Sequence, residues 1–453
     1  MDRLKKTTRA IIGLFTGSQP SKPHISTLKP VVPLQSYLSK AYKDALLAHK
    51  LGAQPDDDSA GNLHVPISVF VHVRTGSNHY YAGIHDDEVH FSASLLKVAA
   101  MFAAFSLREE ARQLAPGGGF ADENAFFAAL SLQFTSADAV PAIRNAGVGL
   151  KPRYKDVLKV TGFGAGPLQV EFNPTFSVPL AVDHALYATY RTVRAHELSL
   201  GHIFDDKEPR ENAATITELN KVSHMYKMIV PSNNASAAEC IRRLGYAYIN
   251  VKLMNSGFYD PNSSPPKGIW LAADFAGGPR VEIDSVNDGK SAQATTSRQM
   301  ARFFSLIDLG QLIDAPSSAT TNSAEMKALL KEAHGVDSAW ISRFPPRLYD
   351  FEGVKVGLAN LKPNTPPKGP DVYSEGVLLK WNNASQVDSF NASQVDSFNA
   401  KMDPTNSNPG VRLSGQIAVC WQNVRVSAFN TGVRGIADMI QTAFSNFLNQ
   451  SPP

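Results

Sequence analysis

Ser94-Leu95-Leu96-Lys97 puts a hydroxyl and an amine three residues apart. On a helix, positions three apart share a face, so the amine can reach the hydroxyl. A lysine that is desolvated or crowded by another cation can lose its proton near neutrality and act as a base toward a serine nucleophile. A helix N-terminus adds backbone N–H groups that favour developing negative charge. The spacing by itself is weak, because about one or two such matches arise by chance in a chain of this length. The plainer alternative makes Ser94 a helix cap and Lys97 a solvated side chain.

The surrounding elements give the pair a setting. Ile67 to Arg74 reads as a β-branched, aromatic strand, Thr75-Gly76-Ser77-Asn78 as a turn, and His79 to Ile84 as the returning strand of a hairpin. The polar stretch His85 to Glu88 and then Val89-His90-Phe91-Ser92-Ala93 lead to Ser94. Leu95, Val98, Met101, Phe102 and Phe105 then recur at helical spacing, which places Ser94 at or near a helix start.

A hairpin followed by Phe91-Ser92-Ala93-Ser94-Leu95-Leu96-Lys97 opening an apolar helix resembles the nucleophile region of class A β-lactamases and related penicillin-binding proteins. In that family the serine is acylated and the lysine helps to move its proton. The resemblance implies a Ser-x-Asn motif on a loop of a helical lobe, and Ser232-Asn233-Asn234 matches it. Ser232 would then shuttle a proton toward the leaving group, and Asn234 would bond Lys97 or a substrate amide. The local alternative is a Ser/Asn turn that caps the next helix.

The resemblance also implies Lys-Thr-Gly or Lys-Ser-Gly on a strand lining the site, and the counterpart is Lys355-Val356-Gly357. Lys355 would assist proton transfer and attract an acidic substrate, and Gly357 would admit substrate to the backbone. The amides of Ser94 and Leu358 are the oxyanion-hole candidates. Val356 departs from the pattern by removing a hydroxyl, which changes substrate selection or abolishes the usual activity. Arg280-Val281-Glu282 followed by Thr295-Thr296 resembles the loop carrying a deacylating carboxylate. Glu282 is the candidate, a solvated loop acid its alternative, and Asn287 a loose counterpart of the family's asparagine.

Composition narrows the other classes. The formal charge is +3 over 453 residues, and the basic residues recur singly, so no footprint for nucleic acid or anionic membrane appears. Cys240 and Cys420 read as two buried free thiols rather than a metal pair or disulfide scaffold. His196-Glu197 lacks a histidine at position 200, where Leu200 stands, so zinc has no support and neither metal nor cofactor is expected. No segment has the length and purity of a transmembrane helix. The apolar run within Met1 to Phe15 is short for a signal peptide. A periplasmic or extracellular location is expected if a leader was removed, and a cytoplasmic one otherwise.

The expected fold is α/β with an all-α lobe, a β-lactamase/transpeptidase-like antiparallel sheet flanked by helices. Residues 1–32 read as a flexible lead-in, 33–105 as the first part of the α/β domain with the nucleophile helix, 106–343 as a mainly helical lobe with an insertion, and 344–453 as the rest of the α/β domain. Further helices are expected over Leu34 to Leu51, Thr217 to Val230, Ala235 to Leu244, Thr296 to Leu309, Ser323 to Ala333 and Arg434 to Leu448. Late strands are expected over Val354 to Leu361, Val372 to Trp381 and Val411 to Trp421. The eight residues at 383–390 recur at 391–398, a duplicated surface loop. The expected function is acyl transfer through Ser94 onto a lactam, amide or ester, with a small-molecule or peptide-like substrate and no identified protein partner. A D,D-peptidase, transpeptidase or esterase, and a noncatalytic binding protein retaining the fold, are the alternatives.

Overall fold

The structure is a computed structural model that describes residues 29–49, 67–313, 322–333, 349–360, 371–381 and 415–425, apart from 31, 76–77, 118, 135–137, 148–150, 165 and 200–211. The final helix expected from Arg434, the repeat at 383–398, the lead-in before residue 29 and Leu200 lie outside the described residues. The chain divides into two compact units.

The first unit, residues 1–96, 252–272 and 281–453, is organised by a six-stranded sheet. Its strands in spatial order are Lys29–Pro30, Asn78–Ile84, Ser68–Thr75, Gly415–Arg425, Asp371–Trp381 and Tyr349–Asn360. Every pairing is antiparallel except that of the two-residue edge strand Lys29–Pro30. The hairpin formed where the alternating β-branched pattern and the Thr75 to Asn78 turn place it, with Val71 opposite Ala82. The last strand runs to Arg425 rather than ending at Trp421, because its far end pairs with Asp371–Trp381, with Val424 opposite Tyr373 and Arg425 opposite Val372.

Helices cover this sheet with apolar faces. Val32–His49 buries Leu34, Leu38, Ala41 and Tyr42, and its Gln35 amide exchanges two hydrogen bonds with the Gly83 backbone, at 2.8 and 2.9 Å. Ser297–Asp308 starts where Thr296 caps it by accepting from Gln299 N at 3.2 Å. Its Met300, Phe303, Phe304 and Ile307 are buried, each contributing about 1.5–3 kcal/mol by burial. Gly376 faces the Phe304 ring, and a Cβ there would lie 3.0 Å from Phe304 Cζ. Asn322–Glu332 packs on Tyr349–Asn360, with Leu330 against Gly353. Both helices belong with the sheet, so residues 281–343 are not part of the helical lobe as expected. Their apolar faces bury against the strands.

The second unit, residues 97–251 and 273–280, is mainly helical. Its core is Lys97–Leu114, a helix apolar almost all round and buried from Lys97 to Arg108. The division falls between Leu96 and Lys97 rather than after residue 105, because this helix packs onto Asn234–Leu244 and His224–Ile229. Arg108 is held between Phe105 and Phe172, 4.7 and 4.4 Å from the ring centroids. The lobe also contains a hairpin, Leu158–Thr161 with Gln169–Phe172, whose alternating burial marks one face turned inward.

The helix expected over Thr217 to Val230 is two helices, Ala213–Lys221 and His224–Ile229. The break has a tertiary cause. Asp183, on the helix Leu180–Ser199, accepts from Ser223 N at 2.8 Å and from Ser223 Oγ at 2.5 Å, and so takes that residue out of the helical ladder. Cys240 and Cys420 are free and buried, and burial pushes both thiols up. Among the described residues, no helix is long and apolar enough to cross a membrane, and no group of three or more His, Cys, Asp or Glu could hold a metal ion.

Candidate active site

The backbone before Ser94 is fixed on several sides within the sheet unit. His90–Phe91 pairs with Gln293–Thr295, and Ser92 N donates to Gln293 O at 2.9 Å. Phe91 N donates to Ser285 Oγ at 3.1 Å and to Asn287 Oδ1 at 2.7 Å, while Asn287 Nδ2 reaches Asn423 Oδ1 at 3.3 Å. Buried Gln422 donates to Ser92 Oγ at 2.5 Å and to Thr295 O at 3.1 Å. Asn287 is thus placed as a brace for the strand leading to Ser94.

Ala93 has φ 47, in the left-handed region, where a residue with a Cβ carries strain of about 1–3 kcal/mol. Ser94 itself is half-buried in the 3₁₀ turn Ala93–Leu96. Strand Tyr349–Asn360 lies directly against this turn: a Cβ on Gly357 would sit 2.8 Å from Leu95 N and 3.2 Å from Leu95 Cβ. Lys355 is buried, Val356 is partly exposed, and Leu358 is 52% exposed on the same strand. Gly357 and the turn that carries Ser94 thus meet from two distant parts of the chain within one unit, with Lys355 and Leu358 on the same strand as Gly357.

In the helical unit, Lys97 is the first residue of its helix and is fully buried. Its Nζ donates to Ser232 O at 2.5 Å, to Ser232 Oγ at 3.2 Å and to Asn234 Oδ1 at 2.7 Å. Ser232 has φ 57, and Asn233 caps the helix Asn234–Leu244 by accepting from Ser236 N at 2.8 Å. The turn and cap expected as a local alternative are both present. The same turn also aims Ser232 and Asn234 at the Lys97 amine.

Glu282 is exposed in the segment before Ile283–Ser285, and Arg280 is exposed beside it in sequence. Thr295 donates to Thr296 O at 3.1 Å, and Thr296 is spent on its helix cap.

Sequence reasoning missed two residues. The ring of Phe275 lies 4.9 Å from Lys97 Nζ, and Phe275 has φ 62. Asp274 accepts from Ala276 N at 3.0 Å, Gly278 N at 2.9 Å and Arg242 Nε at 2.8 Å. Asp274 with Gly277-Gly278 downstream carries the signal of a side-chain-closed turn, but that signal does not say what the turn faces. Among the described residues, Ser232 and Phe275 are two of the five non-glycine residues with positive φ, and both lie beside Lys97 in the helical unit.

No protein-family model matches the chain, and no curated protein matches it in sequence. Among solved structures, the chain is similar to a β-lactamase from Sphaerobacter thermophilus at 12% identity and TM-score 0.40, covering 94% of this chain and 100% of that one. A β-lactamase from Xanthomonas campestris aligns at 12% identity and TM-score 0.40, over 90% of this chain and 98% of that one. A protein named PBP-A aligns at 11% identity and TM-score 0.37, over 92% of this chain and 98% of that one. Likeness at this level assigns neither an activity nor a site to this chain.

Proposed function

We propose that the chain is an acyl-transfer enzyme in which Ser94 is the nucleophile and Lys97 its proton acceptor. The observation that carries this reading is the convergence of Ser232 and Asn234 on the buried Lys97 amine. An ordinary helix cap has no need of a buried lysine three residues downstream with its donors directed at a second turn.

The step runs as follows. Neutral Lys97 takes the Ser94 hydroxyl proton as Ser94 Oγ bonds to the carbonyl carbon of a lactam, amide or ester. The carbonyl oxygen gains the negative charge and is met by the amides of Ser94 and Leu358. The tetrahedral centre collapses, its C–N or C–O bond breaks, and Lys97 returns the proton to the leaving group through Ser232 Oγ. Lys355 supplies positive charge for an acidic substrate. Water then cleaves the Ser94 ester to free acid and regenerated serine.

A second reading within the same chemistry is supported by Val356 and Glu282. Val356 offers no hydroxyl, and Glu282 is exposed where a buried base would be desolvated. Both favour a long-lived acyl-enzyme, as a peptidase or transpeptidase would form, over rapid turnover.

Intact mass after incubation with a penicillin, and separately with a nitrophenyl ester, tests the reading. The expected result is one adduct per chain mapped to Ser94 and absent from Ser94→Ala, its persistence or decay separating the two fates. No adduct and no consumption of either compound by folded protein would sink it.

A further inference from the structure

An ammonium has three N–H donors and no acceptor, whereas a neutral amine must find a donor for its lone pair. The Lys97 amine meets two carbonyl oxygens, Ser232 O and Asn234 Oδ1, which only accept, the Ser232 hydroxyl, which can accept or donate, and the ring of Phe275 with its centroid 4.9 Å away. An aromatic face attracts a cation and offers nothing to a lone pair.

Phe275 is not placed there by default, since its φ of 62 is costly for a side chain of this size. The loop around it is built to hold it. Asp274 is 1% exposed and closes the loop through Ala276 N, Gly278 N and the Arg242 guanidinium. A Cβ on Gly278 would lie 2.8 Å from Asp274 Cγ, so only glycine fits under this clamp. Tyr246 OH donates to Pro279 O at 2.8 Å and pins the far end.

We propose that Phe275, held by the Asp274 clamp, is a positioning residue that keeps Lys97 protonated at rest. On the acyl-transfer reading above, Lys97 must then release a proton to solvent before it can take one from Ser94, and acylation sets in only as pH rises. The charge effect itself does not depend on that reading. The titratable and charged groups on the two helices and the loop packed against this amine include Asp274 with Arg242, Glu239 with Arg243, Lys227 with the Leu219 carbonyl at 3.1 Å, and His224, which burial first and then the Lys227 and Arg243 charges push down to about 4.

The test is a pH titration of the full chain carrying ¹³Cε-lysine, read by NMR, with the Lys97 resonance identified by its loss in Lys97→Met. Phe275→Leu keeps the bulk and the backbone strain but removes the aromatic face. It is expected to lower the Lys97 midpoint by about one pH unit, and Phe275→Tyr to restore it. Asp274→Ala, which frees the loop without touching the ring, shifts the midpoint the same way and serves if Phe275→Leu does not fold. A midpoint that stays at the wild-type value in a folded Phe275→Leu or Asp274→Ala chain overturns the proposal. A lowered midpoint without any Ser94 adduct upholds the role of Phe275 while removing acyl transfer. An adduct with an unmoved midpoint does the reverse.

Discussion

Lys97 Nζ donates to Asn234 Oδ1 at 2.7 Å across 137 positions of the chain. The helix that follows Ser94 and the helix that begins at Asn234 thus share a buried amine as their junction. Removing the oxygen while keeping the volume, in Asn234→Leu, leaves a buried donor short of a partner. The expected cost is about 1.5–3 kcal/mol, read as a lower urea midpoint with an unchanged slope. A midpoint equal to wild type would mean that the contact contributes nothing to stability.

Gly357 lies against the turn that carries Ser94, and the space for a Cβ is taken by Leu95 N at 2.8 Å. Gly357→Ala forces the strand or the turn to move. It is expected to cost about 1–3 kcal/mol by overpacking and to slow adduct formation on Ser94. Thermal unfolding and the time course of the adduct read the two effects separately. An unchanged melting temperature would show that the strand yields freely.

His72 is buried on the strand Ser68–Thr75, with Nδ1 2.5 Å from Ser305 Oγ and Nε2 3.1 Å from His79 Nδ1. Burial first, then the charges of His79 and Arg74, lower its pKa to about 3. As pH falls below the unfolded value of about 6.5, the unfolded chain takes up a proton that the folded chain refuses. The stability contributed by neutral His72 is therefore full above about 6.5 and drains away as pH falls toward about 3. His72→Gln removes this titration, so its unfolding free energy should depend less steeply on pH between these limits. Equal slopes for the two proteins would show that His72 does not carry the acid sensitivity.

The sequence alone was enough wherever the determining pattern is local. Thr296 before a 3.6-residue apolar period marks the start of Ser297–Asp308, and strand alternation around a turn marks the hairpin Ser68 to Ile84. The antiparallel sheet flanked by helices follows from those patterns. Ser94, Lys97, Ser232 and Asn234 were singled out by type, spacing and family resemblance, without any distance between them.

Tertiary structure decided what depends on contacts between distant segments. Asp183 divides one expected helix at Ser223, forty positions away in sequence, because a buried carboxylate must be bonded and the Ser223 N–H and hydroxyl are what the fold brings to it. The last strand took its far end from pairing with its neighbour rather than from its own composition. Phe275 carries no motif. Its place over Lys97 arises only when the Asp274 clamp closes and the loop meets the helix. Periodicity and caps are properties of neighbouring residues and survive in a one-dimensional reading. Which ring covers which amine is set by packing, and that exists only once the chain has folded.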